Sequence, residues 1–282
     1  MTKFIEQHCY ARARRGLFRQ SEGYDTVARS KGLTESFIKE WLHPYCYYHP
    51  SRIMQAKRLP ESEFPKALTV VRLPEGLMLI GQTVYVEADF TGQRSAFFTH
   101  NYVLEAEEDF CPSTLCKLNF ITDWAGEELH QLEKLPLHDG PAETIGPLPF
   151  DENRLRQLVE AINLSAVGTK KVYVILPGLD WVFPMLMWLY GHLPQETLRV
   201  LGFTTYAREP VNKKFLHLIF MESGSLGDTK LEWDYVFDFD TGYFHIPQVV
   251  LEEEQEPESV KINLPKEGVR EKMAKIFECF KG

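Results

Sequence analysis

The sequence predicts an α+β protein: an N-terminal antiparallel sheet with helices, followed by a second α/β domain with a mixed, mostly parallel sheet. Three observations lead there. Ala67 to Leu73 and Leu77 to Val86 are strand-like runs joined by the turn Pro74-Glu75-Gly76, and Ser95 to Leu104 is a third run after Gly92, as a hairpin and a further strand require. Lys171 to Leu176 is a short apolar run with helical-period segments on both sides, the spacing of a right-handed β-α-β unit. Between these regions, Leu129 to Leu148 is rich in proline, glycine and acids. It closes the first domain, giving domains at 1–148 and 149–282.

In order along the chain, Phe4 to Ala13 is the first predicted strand. Ile5, Gln7, Cys9 and Ala11 fall on one face and Glu6, His8, Tyr10 and Arg12 on the other. Gly16 and Ser21-Glu22-Gly23 mark a loop. Thr34 is a candidate N-cap for a helix with Phe37, Ile38, Trp41 and Leu42 as its apolar stripe, ended by Pro44. Residues 52–65, polar with two prolines, read as a surface loop. In the second region Asp151 can cap a helix over 153–164, where Leu155, Leu158, Val159 and Ile162 repeat at helical spacing. Pro177-Gly178 turns into a helix over 181–193, with Phe183, Leu186, Met187 and Tyr190 as its predicted buried face. Strands follow at 198–206, 215–221 and 231–239. An acidic linker at 252–258 and an amphipathic helix at 267–280 complete the reading.

Composition narrows the function classes. The 282 residues are 44% hydrophobic and 25% charged, ordinary for a globular protein. No run approaches the ~20 apolar residues of a membrane span, and the N-terminus lacks a signal peptide's apolar core. A cytoplasmic protein without membrane contact is expected. Cys9, Cys46, Cys111, Cys116 and Cys279 are scattered and odd in number, which suits reduced thiols rather than a disulfide framework. The net charge of −9 argues against a dedicated nucleic-acid binder. Charge is uneven, however. Residues 1–31 carry seven Lys/Arg against three acids, and 105–143 carry ten acids against two bases.

The motifs with chemical content are few. Asp240-Thr241-Gly242 resembles the aspartic-protease triplet, but that chemistry needs two carboxylates sharing a proton. The same residues make an ordinary turn after a strand. Cys111, Cys116, His130 and His138 have spacings outside the tight patterns of structural zinc, so no metal is expected. The loop 223–227 lacks the Lys-Ser/Thr of a phosphate cradle, and Pro177-Gly178-Leu179-Asp180 offers one glycine and an acid that repels phosphate. No cofactor is expected. Arg12, Arg14, Arg15 and Arg19 form the densest basic cluster, able to hold phosphate or an acidic partner. Arg94, Ser95, Thr99, His100 and Asn101 offer donors and a group that titrates near neutrality. Alternation places Arg94, Phe98, His100 and Tyr102 on one strand face and Thr99 and Asn101 on the other. His100 is therefore either a hydrogen-bonded core residue or part of a site.

The run from Tyr10 to Phe18 (Tyr-Ala-Arg-Ala-Arg-Arg-Gly-Leu-Phe), the stretch Gly23 to Ala28 and the segment Phe97 to Val103 resemble the N-terminal domain, type two, of bacterial GTPase-associated proteins. Leu193 to Tyr206 is similar to that family's middle domain. The resemblance implies a regulator or adaptor with a partner GTPase in NTP-dependent conflict systems, and it brings no catalytic residues. Family members run longer at the C-terminus, so this chain is expected to be a shortened form or a short member. The leading expectation is a non-enzymatic adaptor whose candidate ligand- or partner-binding residues are Arg12, Arg14, Arg94, Thr99, His100 and Asn101. One alternative is a hydrolase around His100 with Cys9, Thr99 or Ser95 as nucleophile. The other is an anion- or nucleic-acid-binding module using the N-terminal arginines.

Overall fold

In the computed structural model the described residues are 4–106, 110–124, 126, 128–139, 148–226 and 231–247. They belong to a unit spanning Met1–Pro247. The acidic linker and final helix expected beyond 252 lie outside the described residues. Ten strands form one sheet: β1 (Glu6–Ala13), β2 (Gly23–Arg29), β3 (Ala67–Leu73), β4 (Leu77–Val86), β5 (Ala96–Glu105), β6 (Val172–Ile175), β7 (Phe203–Ala207), β8 (Leu218–Met221), β9 (Tyr235–Asp238) and β10 (Phe244–His245). Their spatial order is β10-β9-β6-β8-β7-β3-β4-β5-β1-β2. The half from β3 to β2 is antiparallel, whereas β6, β7, β8 and β9 run parallel. The two halves meet where β3 pairs with β7, Thr69 opposite Thr204. The predicted boundary after residue 148 falls between β5 and the next helix, and strands on either side of it share this sheet.

The helices are α1 (Glu35–Phe37), α2 (Arg52–Lys57), α3 (Glu152–Val167), α4 (Val182–His192) and α5 (Gln195–Leu198). Asp151 caps α3 by accepting the Arg154 N–H at 2.9 Å, and Thr34 caps α1 by accepting the Phe37 N–H at 3.2 Å, both as the sequence indicates. One face of the sheet packs against α3 and α4 through Val172, Val174, Leu158, Ile162, Leu186 and Leu189. The opposite face carries Tyr173, Ile175, Val71 and Leu79, covered by Leu33, Ile38 and Leu42 from the segment after β2. The periodicity of two in strands and 3.6 in helices therefore sorts the apolar residues onto two cores.

Several elements differ from the sequence reading. Strand β2 has no counterpart among the sequence-predicted strands, because its buried positions are Asp25, Thr26 and the small Ala28, which carry no apolar alternation. Pro44 does not stop the segment that begins at α1. It continues as a π-helical turn, Ile38–Leu42, and a 3₁₀ turn, His43–Tyr45, with Pro44 near the start of the latter, where a missing N–H is tolerated. Residues 52–65 contain α2, capped by Ser51, and a 3₁₀ turn over Glu61–Glu63. The strand expected from 198 begins at Phe203, since Gln195–Leu198 is helical and buries Thr197 and Leu198. The strand expected from 215 begins at Leu218. Phe215 has φ 60°, and its carbonyl approaches Gly202 so closely that a Cβ there would lie 2.0 Å away. The strand expected over 231–239 is β9, and β10 was not foreseen. The buried stripe of α4 is Val182, Met185, Leu186 and Leu189. The predicted face had Leu186 right but was rotated, leaving Phe183 and Tyr190 partly buried beside the core. Among the described residues no helix is long and apolar enough to cross a membrane.

Asp240 sits in the turn after β9 and is exposed. The turn is built by Asp238, which accepts the backbone N–H of Asp240 and Thr241 at 3.0 Å each and the Thr241 hydroxyl at 2.7 Å. Asp240→Asn keeps an acceptor for the Ser223 hydroxyl. Its stability should change by no more than about 0.5 kcal/mol. A urea midpoint that drops well beyond that would show that the charge at 240 has a larger role.

Candidate functional site: an arginine-edged end of the sheet

The six sequence-predicted residues lie on β1 and the loop after it and on β5 and the loop before it, in three separate environments. His100 pairs in register with Cys9, on the face that carries Phe98 and Tyr102. Its ring is fully buried. The Ile121 N–H donates to Nδ1 at 3.1 Å, so the proton resides on Nε2, which donates to Gln7 Oε1 at 3.2 Å. Gln7 in turn donates to the His130 carbonyl at 2.7 Å. Tyr102 stands edge-on to the ring at 4.5 Å. Burial pushes the pKa of His100 down to about 4. Both nitrogens are used and the ring is sealed, which is the arrangement of a core histidine.

Thr99 and Asn101 face the other side. Asn101 Nδ2 donates to His8 Nδ1 at 3.0 Å and to the Cys46 sulfur at 3.4 Å. The His8 proton is therefore on Nε2, directed at Thr26 Oγ1 at 2.9 Å, and the Thr26 hydroxyl donates in turn to His43 Nε2 at 2.9 Å. Thr99 bonds to Thr83 at 2.9 Å. Gly81 makes room for this network, since a Cβ there would lie 2.3 Å from Asn101 Oδ1. Burial, with His43 and His100 adding to it, holds the His8 pKa well below its usual value. The Cys46 thiol is pushed up to about 12 by burial, and Cys9 is raised further, also chiefly by burial. A nucleophile needs the thiolate, and both thiols are buried, Cys9 on β1 and Cys46 at the end of the 3₁₀ turn, and held neutral. The sequence reading missed His8, Thr26, His43 and Cys46 as one network. Its only signal was His8 alternating with Tyr10 on β1.

The arginines gather at the common end of these strands, where β1 and β4 finish and β2 and β5 begin. Arg12 Nε bonds to Asp89 Oδ2 at 2.7 Å. Asp89 is held down to about 2, first by the Thr91 hydroxyl, with Thr91 N–H and Arg12 adding to it against burial. The Asp89 N–H donates to the Arg94 carbonyl at 2.7 Å, tying Arg94 into the same loop. Arg14 lies over the Phe90 ring at 5.8 Å, a cation–π contact. Beside Arg12, Tyr24 and Phe97 stack at 4.3 Å. The structure thus brings Arg12, Arg14 and Arg94 together. It separates them from His100, whose register partner Cys9 lies three positions before Arg12, about 10 Å along the strand.

A second part of this end was not legible in the sequence. Asp25, buried in β2, accepts the backbone N–H of Phe18 and Arg19 at 2.8 Å each. Leu17 N–H donates to the Thr26 carbonyl at 2.8 Å, and Gly16 N–H to the Arg19 carbonyl at 3.0 Å. A side chain at Gly16 would collide with Asp25, whose Oδ2 lies 2.1 Å from the position a Cβ would take. The β1–β2 loop is therefore braced from inside while Arg14, Arg15 and Arg19 stand exposed on it. Arg15 and Arg94 are exposed, and among the described residues neither side chain has a hydrogen-bond or ion-pair partner.

Elsewhere, Cys111, Cys116, His130 and His138 do not assemble. Among the described residues no group of three or more His, Cys, Asp or Glu side chains is placed to hold a metal. A cleft between Tyr45, Tyr48, Tyr206 and Arg208 has room for about 30 Å³, enough for a water. An open groove of about 580 Å³ lies between Phe150, Arg154, Phe239 and Phe244.

A mixed ten-stranded sheet with sealed histidines and a braced, arginine-edged end defines an α+β protein whose polar display is on its loops. The chain belongs to the GTPase-associated protein 1 family. Its N-terminal domain, type 2, matches residues 4–141, and its middle domain matches residues 142–241. No curated protein matches the chain.

Proposed function

We propose that this chain is a non-enzymatic regulator or adaptor that binds a GTPase of a bacterial, cytoplasmic conflict system through the arginine-edged end of its sheet. The observation that carries this reading is the pair of exposed arginines, Arg15 and Arg94, with no side-chain partner among the described residues, beside Arg14 on braced loops, in a chain of a GTPase-associated family. Arg12, Thr99, His100 and Asn101 act beneath that surface. Arg12 fixes the 89–94 loop through Asp89, and the other three hold β5 in register through buried hydrogen bonds. Exposed guanidinium groups steer an acidic partner and set its orientation. The hydrolase alternative has less support, because Cys9 is buried beside His100 with its thiol neutral and Thr99 lies on the opposite face.

The chain alone should neither hydrolyse GTP nor bind it tightly. The turn after β6 places the Asp180 carboxylate against Gly178, 2.3 Å from where a Cβ would sit, so an acid occupies the position where a phosphate would meet helix amides. Calorimetry giving a micromolar Kd for GTP would remove this reading. The partner test is to co-express the chain with a GTPase encoded beside it and measure the Kd of the purified pair. Reversing Arg14 and Arg94 to Glu should weaken the complex about tenfold or more, with wild-type binding falling as salt rises. Equal affinity of the double variant would refute the proposed surface.

A further inference from the structure

We infer that Arg15 enters the nucleotide site of the partner GTPase and stabilises the transition state of GTP hydrolysis, so that the chain accelerates its partner's reaction. This rests on the GTPase-binding reading above and goes beyond it, from docking to activation. Three observations point to Arg15, the first of which it shares with Arg94. It is exposed and has no hydrogen-bond or ion-pair partner among the described residues, so its guanidinium is available without breaking a bond. Its neighbours are committed: Arg12 to Asp89, Arg14 to the face of Phe90, Arg19 to Ser21. The loop that carries it is braced from the next residue onward by the Gly16, Leu17, Phe18 and Arg19 N–H bonds to Arg19, Thr26 and Asp25. A loop kept in one conformation by a buried carboxylate loses little entropy on docking, which is what a group acting at another protein's reacting centre needs.

The chemistry is simple. In the partner, water attacks the γ-phosphorus, the bond from that phosphorus to the oxygen shared with GDP breaks, and the proton of the water ends on the released phosphate. Negative charge builds on the phosphoryl and bridging oxygens as this happens. A guanidinium supplied in trans offers two parallel N–H donors to those oxygens and takes no proton. An ammonium is a point charge and cannot reproduce that fork.

The experiment uses the full chain with a GTPase encoded beside it. Single-turnover GTP hydrolysis by the GTPase is measured with and without the chain. Binding is measured separately for the GDP-loaded GTPase and for GDP with aluminium fluoride, a mimic of the transferring phosphoryl group. Wild type should accelerate hydrolysis strongly, by about 10³-fold if Arg15 behaves as known arginine fingers do, and bind the aluminium fluoride form more tightly than the GDP form. Arg15→Ala and Arg15→Lys should both lose the acceleration and the preference while still binding the GDP form, and the control Arg156→Lys, on α3 away from this surface, should keep both. Binding without acceleration, or acceleration that survives Arg15→Ala, overturns the inference and leaves the adaptor reading standing. Full activity of Arg15→Lys also overturns it, since Arg15 would then be a charge contact to an acidic surface. Absence of binding to either form overturns the adaptor reading and this inference together. Unchanged circular dichroism and melting of the Arg15 variants exclude loss of fold as the cause.

Discussion

Lowering the pH from 7 to 4 should unfold this protein or bring it close to unfolding, and the cause is buried histidine. His100 and His217 are each held down to about 4 by burial, His217 with help from Lys171, and His8 is shifted in the same direction. An unfolded histidine titrates near 6.5. Above that pH both states are neutral and the pair of pKa values has no effect. Below it, the unfolded chain takes up protons that the folded chain refuses, so stability falls as pH drops from about 6.5 toward 4. His100 and His217 alone should remove about 2 kcal/mol each by pH 5 and about 3 kcal/mol each by pH 4. That is comparable with the 5–15 kcal/mol of an ordinary domain. Carboxylate effects fall lower, since Asp89 is held down to about 2. Urea titrations at pH 7, 6, 5 and 4 would measure the curve. A flat curve across that window would mean that these rings are protonated without cost in the fold. Gly202 N–H donates to His217 Nδ1 at 3.0 Å and Ile121 N–H to His100 Nδ1 at 3.1 Å. Protonation of either Nδ1 sets donor against donor, which gives the cost its structural origin.

The second large effect is expected at Leu186. It is fully buried on α4, in the cluster that includes Val172, Val174 and Leu176. Leu186→Ala removes the side chain from a filled core and should cost about 2–5 kcal/mol, according to how far the surroundings collapse. Val167, at the end of α3, is 87% exposed, and Val167→Ala should change stability by no more than about 0.5 kcal/mol. Equilibrium denaturation of the two variants makes the comparison. Comparable losses would place α4 away from the sheet and undo the packing described here.

The family match, the hairpin β3–β4, β5, the cap at Asp151, α3 and β6 were all legible in the sequence, because caps, turns and apolar periodicity are local signals. So was the assignment of Phe98, His100 and Tyr102 to one face and Thr99 and Asn101 to the other, which follows from the strand period of two. The phase of α4 was not fixed. Trp181 to Leu193 is apolar on almost every side, so several stripes fit the pattern equally well. The edge strand β2 was hidden because its buried residues are Asp25, Thr26 and Ala28, which a hydrophobic pattern does not register. The pairing of β3 with β7 joins segments more than 130 residues apart, and no local rule specifies it. The same limit applies to the polar clusters. Arg12 with Asp89, Asp25 with the 16–19 loop, and His8 with Asn101, Thr26 and His43 are contacts between strands whose order and register are set by the whole sheet. Residue types and spacing determined which side chains could take part. Only the tertiary structure decided that His100 is sealed in the core while Arg15 and Arg94 stand exposed at the end of the sheet, because burial is a property of everything that packs around a residue.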